Sequence, residues 1–137
     1  MFGIDTNVLV RFLLNDDPEQ GAHVKKLIEE ALATGQPVAV GLLVILETEW
    51  VLRSCAKIDK KAVITTLRML LESRDLQIEH EDCLEHALYL YENNNADFAD
   101  CLIATGYKRT GCSAMFTFDR KAAAIPGVIL LNAATPK

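Results

Sequence analysis

Two aspartates stand where a short apolar segment of the chain gives way to a polar turn. Asp5 follows Phe2-Gly3-Ile4, and Asp119 follows a later apolar run that ends at Phe118. In an open parallel β-sheet, ligand sites lie beyond the carboxyl ends of the strands, so both carboxylates are expected at such an edge. Two carboxylates at one edge repel unless a cation lies between them, which suits Mg²⁺ or Mn²⁺ because these ions prefer oxygen ligands. Taken singly, each aspartate is also explained as the cap of the helix that follows, a role worth about 1 kcal/mol.

Glu47 is a carboxylate inside an apolar segment, residues 42–52, that has the pattern of a helix. At spacings of three and four residues, it is expected to share one helical face with Leu43, Leu46, Trp50 and Val51. A carboxylate on an apolar face is costly unless it is paired, so Glu47 is predicted to belong to a metal or functional site. The alternative is an ion pair with a Lys or Arg from another element. Glu49 is expected to pair with Arg53 in solvent.

Asp97 and Asp100 are three residues apart and therefore lie on roughly one face of a predicted helix. The small residues Ala99, Cys101 and Ala104 surround Asp100, as a closely packed site requires. The alternative is again local, because Asp97 can cap the helix and Asp100 can lie in its first turn, where the helix dipole favours negative charge. Local physics leaves the two explanations open for this pair.

The elements that must position these acids alternate between strands and helices along the whole chain. Short apolar runs predict strands, and segments with apolar residues at spacings of three and four predict helices. The predicted strands are 2–4, 37–40, 76–79, 114–118 and 128–131, and the predicted helices are 8–14, 18–33, 41–55, 60–73, 82–92 and 97–108. Such alternation favours an α/β fold with a parallel sheet covered by helices.

Length and composition indicate one compact domain over residues 1–137, because half of the residues are apolar. The net charge of −5 argues against a nucleic-acid partner, since phosphates normally meet a basic surface, but two bound divalent ions would offset most of that charge. The four cysteines form no Cys-x-x-Cys pair and are expected to be reduced and buried. No segment has the pattern of a signal peptide or a membrane span, so we expect a soluble, cytoplasmic protein.

Four segments of the chain, in order, resemble the PIN domain and, more narrowly, the VapC-type toxins of bacterial toxin–antitoxin pairs. The segments that carry the resemblance are residues 5–11 (DTNVLVR), 46–52 (LETEWVL), 96–104 (ADFADCLIA) and 116–120 (FTFDR). Each of them alone is a weak signal, but the four in this order and in a chain of this length are specific.

The resemblance implies a metal-dependent endoribonuclease that uses Mg²⁺, or Mn²⁺ in its place. It implies that Asp5, Glu47, Asp100 and Asp119 are both the catalytic residues and metal ligands, with Asp97 as an additional metal-binding acid. Thr6, Asn7 and Thr117 correspond to polar neighbours that orient the ligands or water. The implied fold is α/β and PIN-like, with three layers and a central, mostly parallel sheet of four to five strands flanked by helices.

The resemblance also implies partners other than RNA, namely a second copy in a homodimer and a small VapB-type antitoxin. Contacts with RNA phosphates or with the antitoxin are expected from the cations near the motifs, Arg11, Arg53, Arg120 and Lys121. For any one of these four cations taken alone, solvated surface charge is the more ordinary explanation.

Two other functions share parts of this pattern. A haloacid-dehalogenase-like phosphatase also has an aspartate after its first strand, but it needs a second aspartate two residues later, where this chain has Asn7. A receiver domain needs an acidic pair at the same place, which Asp5-Thr6-Asn7 does not provide. A non-catalytic binding or scaffold protein of the same fold is the third alternative, and dispersed or cation-paired acids would favour it.

Overall fold

Parallel strands alternate with helices along residues 1–132, which are the residues that this computed structural model describes. The strands are β1 (Phe2–Gly3), β2 (Val38–Val40), β3 (Leu76–Ile78), β4 (Met115–Thr117) and β5 (Val128–Leu130). The helices are α1 (Thr6–Leu14), α2 (Pro18–Ala33), α3 (Leu42–Trp50), α4 (Lys60–Glu72), α5 (Glu81–Asn93) and α6 (Phe98–Arg109). All of the predicted elements are present, and most of their ends agree to within one or two residues. The predicted α/β class with parallel strands is thereby confirmed.

The chain divides into two compact units, and the first comprises Met1–His80. Its strands form a parallel sheet in the order β1-β2-β3, with Phe2 opposite Val38 and Val38 opposite Leu76. Helix α4 packs against β3, α1 packs against α2 and α3, and α3 packs against α4. The core contains the fully buried side chains of Leu9, Ile45 and other aliphatic residues. The carboxyl ends of the three strands lead to Asp5, Gly41 and Glu79 at one edge of the sheet.

Capping side chains fix where the helices of the first unit begin. Asp17 accepts a hydrogen bond from the backbone N–H of Gln20 at 3.0 Å, and Pro18 occupies the first turn of α2, where a missing N–H costs nothing. Asp59 accepts from the backbone N–H of Ala62 at 2.8 Å and begins α4 in the same way. These acids therefore have a complete structural explanation.

The second unit begins at Glu81 and contains α5, α6 and the parallel pair β4-β5, with Met115 opposite Val128. Helices α5 and α6 pack against each other, and the rings of Tyr91 and Phe98 meet with their centroids 5.4 Å apart. Asp82 and Arg109 join the exposed ends of the two helices in an ion pair. The guanidinium of Arg109 holds the pKa of the Asp82 carboxyl below its usual value.

Two short helical segments differ from the sequence prediction. The predicted helix 41–55 ends as an α-helix at Trp50 and continues as a π-helix over Val51–Cys55. A 3₁₀-helix at Ala122–Ala124 follows Asp119, where no element was predicted. Within residues 1–132, no helix is both long enough and apolar enough to cross a membrane. The predicted single domain, residues 1–137, extends past the described residues and stays a prediction.

Candidate metal centre

Three of the predicted acids form a cluster within the second unit. Each of Asp97, Asp100 and Asp119 offers a carboxylate oxygen, and these oxygen atoms all lie within 4.8 Å of one another. Asp97 and Asp119 are exposed and Asp100 is partly buried. Mg²⁺ takes oxygen ligands at about 2.0–2.1 Å, so these oxygens lie near the separation at which they can share one ion. The cluster therefore has the donor chemistry of a Mg²⁺ or Mn²⁺ site.

Helix α6 delivers two of the three carboxylates. Asp97 stands at the N-cap position with an extended backbone, but its side chain makes no capping hydrogen bond. The predicted alternative for Asp97, a helix cap, is therefore wrong as far as its carboxylate is concerned. Asp100 lies in the first turn of α6, one helical turn further on, and the positive end of the helix dipole favours its charge there.

Asp119 lies two residues beyond the end of β4, and two backbone contacts fix its orientation. Its Oδ1 accepts hydrogen bonds from the backbone N–H groups of Lys121 at 2.8 Å and Ala122 at 3.4 Å. The backbone N–H of Asp119 donates to Oγ1 of Thr117 at 3.0 Å. Thr117 thus braces the turn that carries the carboxylate. The capping explanation holds for one oxygen of Asp119, and the other oxygen is left for a ligand.

Like charges make this cluster unfavourable without a cation. Partial burial of Asp100, together with the charges of Asp119 and Asp97, raises the pKa of the Asp100 carboxyl above its usual value. Within residues 1–132, none of the three carboxylates forms an ion pair with a Lys or Arg. A bound divalent cation would remove the repulsion, so the three residues fit a metal ion on both geometry and charge.

The other two predicted acids, Asp5 and Glu47, lie together in the first unit. With Thr6, Asn7 and two residues of α3, they line an open depression of about 480 Å³. Oδ1 of Asp5 accepts a hydrogen bond from the backbone N–H of Val8 at 3.0 Å and caps α1. Thr6 is buried and Asn7 is exposed. As with Asp119, capping uses only one oxygen of Asp5, so it does not exclude a metal-binding role.

Glu47 is exposed, contrary to the prediction that its face of α3 is buried. Of the four side chains expected beside it on that face, Leu43 is 81% and Trp50 52% exposed, and Leu46 and Val51 are partly buried. The opposite choice of face is observed, and the buried residues are Ile45, Thr48, Glu49 and Leu52. The physical reason is that residues 42–52 are apolar on nearly every side, so spacing could not decide which side meets the core. The cost of burial therefore gives no support to a functional role for Glu47.

Glu49 takes the place in the core that was predicted for Glu47. Its side chain is only 2% exposed, and Oε2 accepts a hydrogen bond from Nε of Arg53 at 2.9 Å. The predicted Glu49–Arg53 pair is thus confirmed, but its expected location in solvent is wrong. The pair joins the end of α3 to the π-helix, and Arg53 balances the charge of the buried Glu49.

The four predicted contact cations differ in how they are held. Arg11 donates to Oδ1 of Asp16 and to Oε1 of Gln20, both at 2.8 Å, and so links α1 to the start of α2. Arg53 is bound to Glu49. Arg120 and Lys121 are exposed and directly follow Asp119 in the chain. Of the four, these two are the ones placed for contact with an anion beside the carboxylate cluster.

Glu79 is a positioning residue that the sequence analysis did not single out. It follows β3, and its Oε1 accepts a hydrogen bond at 2.9 Å from the backbone N–H of Leu42, the first residue of α3. The N-cap position itself is Gly41, which has no side chain to cap with. The Glu79 carboxylate thus anchors the start of the helix that carries Glu47. The position of Glu79 directly after a predicted strand is the sequence feature that could have identified it.

A second pocket in the second unit is chemically different from the carboxylate cluster. It has a volume of about 430 Å³ and lies at the C-terminal end of α6, where Tyr107 and Lys108 meet Tyr89, Met115 and Ile125. Its lining residues include no Asp or Glu among the described part of the chain. Asp100 and Lys108 are separated by about 12 Å along the helix at 1.5 Å per residue. This pocket is not part of the candidate metal centre.

The model of the PIN domain family matches residues 3–128, which is nearly the whole chain. The chain belongs to the PIN domain family. PIN domains are a superfamily of metal-dependent nucleases, generally Mg²⁺-dependent, so the family accounts for an acidic cluster with metal-site geometry. The family therefore supports a nuclease that uses a divalent metal and acts on nucleic acid, rather than a phosphatase. Among curated proteins, no significant match to this chain is found.

The predicted state of the cysteines is correct in part. All four are free, so the expectation of reduced thiols agrees with the structure. Cys83 and Cys101 are buried as predicted, whereas Cys55 and Cys112 are exposed. Cys55 ends the π-helix and Cys112 follows a turn, and both positions lie outside the packed faces of their units.

Proposed function

We propose that this PIN domain protein is a divalent-metal-dependent endoribonuclease that acts as the toxin of a toxin–antitoxin pair. The observation that carries the proposal is the group of three carboxylates, Asp97, Asp100 and Asp119, within 4.8 Å of one another in a chain of this family. Mg²⁺ is the proposed ion and Mn²⁺ its substitute, because both take oxygen ligands. When bound, such an ion activates water and stabilises charge on the phosphodiester.

The proposal assigns the chain's own residues the following roles. Asp100 and Asp119 hold the ion together with Asp97, and Thr117 keeps Asp119 in orientation through the backbone hydrogen bond at 3.0 Å. Asp5 and Glu47 are assigned as further catalytic metal ligands on the strength of the family resemblance, and Thr6 and Asn7 orient these two acids or a water molecule. Arg120 and Lys121 bind phosphates of the RNA, or acidic groups of an antitoxin.

The decisive experiment measures cleavage of single-stranded RNA by the purified protein with Mg²⁺ or Mn²⁺ and with EDTA. We expect cleavage only with metal and a loss on the order of 100-fold in Asp5→Asn and in Asp100→Asn. Asn caps helices as well as Asp does, so Asp5→Asn retains the cap of α1 and removes only the charge.

The matched control is Asp59→Asn, another exposed capping aspartate that lies outside both acidic groups. It should cleave RNA at the wild-type rate. Full activity in Asp100→Asn would overturn the metal-site assignment, and absence of cleavage with any RNA and metal would favour the scaffold alternative. For the toxin role, induction of the wild-type chain in a bacterial host should arrest growth, and induction of Asp100→Asn should not.

A further inference from the structure

An apolar aromatic surface lies beside the candidate metal centre in the second unit. Phe118 is 80% exposed and Phe116 is 49% exposed, and they stand two residues apart at the end of β4. Ile129, the residue opposite Phe116 on β5, is exposed too. Burial of aromatic side chains is favourable, so two exposed rings at the end of β4 offer apolar surface for a partner to cover. These three residues are called the aromatic surface below.

The aromatic surface is tied to the carboxylate cluster by the chain itself. Phe118 is the residue immediately before Asp119, and consecutive Cα atoms are about 3.8 Å apart. Thr117, between the two phenylalanines, braces Asp119 through its hydroxyl. Phe118 is therefore close enough to the carboxylate cluster for one ligand to contact both.

The charges next to the aromatic surface indicate what kind of ligand it binds. Arg120 and Lys121 follow Asp119 directly, both are exposed, and within residues 1–132 their side chains form no ion pair. Residues 116–121 thus present two aromatic rings, a metal-binding carboxylate and two cations in succession. Single-stranded nucleic acid offers the complementary groups, since bases stack on aromatic rings and phosphates attract cations. A purely apolar partner would leave the two cations without a counterpart.

We infer that Phe116 and Phe118 form a stacking surface that binds bases of the RNA strand next to the scissile phosphate. This inference rests on the proposed nuclease function and adds two substrate-binding residues to it. Stacking on Phe118 requires a base with a free face, which a loop or single strand provides and a paired duplex does not. The two rings therefore contribute to the choice of an unpaired cleavage site.

The test measures binding apart from cleavage. Fluorescence anisotropy is recorded with labelled single-stranded oligo(A) and with a fully paired RNA duplex, using proteins that all carry Asp100→Asn so that the RNA stays intact. Added to this background, Phe118→Ala should weaken binding of the single strand by about 5- to 100-fold, the range for one stacked base. Phe118→Trp should bind within about twofold of the Phe118 protein, and Phe118→Leu should bind as weakly as Phe118→Ala.

The matched control is Tyr107→Ala, which removes an aromatic ring that is 49% exposed, as Phe116 is, but lies at the far end of α6. It should leave the single-strand affinity unchanged. Thermal melting checks that each variant is folded.

Three results would overturn the inference. The first is unchanged single-strand binding by Phe118→Ala, and the second is equal binding by Phe118→Leu and Phe118→Trp. The third is an altered oligomeric mass of Phe118→Ala with unchanged RNA affinity, which would make this surface a contact between copies of the chain. Failure of the proposed function looks different, because wild-type protein would then cleave no RNA while binding still depended on Phe118.

Discussion

At the scale of single residues, the same side chain can be a structural cap and a metal ligand. One carboxylate oxygen of Asp5 accepts from one backbone N–H and one of Asp119 accepts from two, and each residue keeps a second oxygen. Asp97 occupies a cap position without making the capping bond, and partial burial, with the charges of Asp119 and Asp97, raises the pKa of Asp100. Asp97 and Asp100 are therefore the acids whose positions structural needs explain least.

Asp100→Asn should stabilise the metal-free protein at neutral pH. Burial first, and the charges of Asp119 and Asp97 next, raise the pKa of Asp100 in the folded protein. The protonated Asp100 carboxyl therefore contributes its full stability below the ordinary carboxyl pKa. That contribution is lost as the pH rises through the raised value in the folded state. Relief of repulsion of the order of 0.2–0.5 kcal/mol corresponds to a rise in Tm of about 1–2 °C.

Thermal melts in EDTA at pH 7, compared with melts in saturating Mg²⁺, provide the measurement. Metal should raise the Tm of the wild-type protein more than that of Asp100→Asn, because the variant lacks one ligand. The difference between the two proteins in EDTA should shrink as the pH is lowered towards the ordinary carboxyl range. A lower Tm for Asp100→Asn in EDTA at pH 7 would contradict this account.

Lys121 should contribute to RNA affinity through charge alone. Its side chain is exposed, while its backbone N–H holds Asp119, so Lys121→Gln removes the charge and keeps the turn. We expect weaker binding to all RNA sequences alike and a decrease of about 0.7 in the slope of log K against log salt. Anisotropy titrations at several salt concentrations measure both. Lys26→Gln, at a surface lysine of α2, is the control and should leave the slope unchanged.

At the scale of elements, helix α3 places two glutamates of similar sequence context in different environments. Glu47 points to the exposed side, and Glu49 is buried against Arg53 at the entrance to the π-helix. Glu79 anchors the first turn of the same helix from the end of β3. The position of Glu47 therefore depends on two other carboxylates, neither of which is assigned to bind metal.

Glu49→Ala should lower the stability of the protein, and Glu47→Ala should not. Removing a buried, hydrogen-bonded side chain costs about 1–3 kcal/mol, whereas a substitution at an exposed position usually stays within about 0.5 kcal/mol. The two variants thus form a matched pair within one helix. Urea denaturation gives the free energy of unfolding for each variant. In RNA cleavage assays the order should be reversed, with the larger loss of kcat in Glu47→Ala. Equal stabilities of the two variants would contradict the assignment of faces on α3.

At the scale of the whole molecule, the proposed partners follow from what the two units leave exposed. The first unit exposes Leu43 and Trp50 on α3 and Met69 on α4, and the second exposes the aromatic surface. Apolar side chains on a protein of net charge −5 are candidates for contacts with other chains or with bases. The family resemblance predicts a homodimer, and the exposed apolar side chains of α3 and α4 are the surface that we propose for it.

Light scattering after gel filtration tests the dimer. The proposed homodimer should have a mass of about 30 kDa, twice the 15.2 kDa of one chain. A double variant, Leu43→Lys with Met69→Lys, places charge on this surface and should shift the mass towards that of the monomer. Phe118→Ala is the comparison on the other surface and should leave the mass unchanged. A monomer for the wild-type protein at all concentrations would rule the homodimer out.

The sequence by itself determined the alternation of strands and helices, the α/β class and the family, because periodicity, caps and ordered motifs are local features. It also predicted the Glu49–Arg53 pair, because four residues along a helix bring two side chains together whatever surrounds them. Only the tertiary structure decided which side of α3 faces the core, since a segment that is apolar on nearly every side gives no preference. For the acids, the sequence showed their positions after strands and in the first turns of helices, but not their distances from one another. The oxygens of Asp97, Asp100 and Asp119 lie within 4.8 Å of one another because the folded chain brings the start of α6 to the turn after β4.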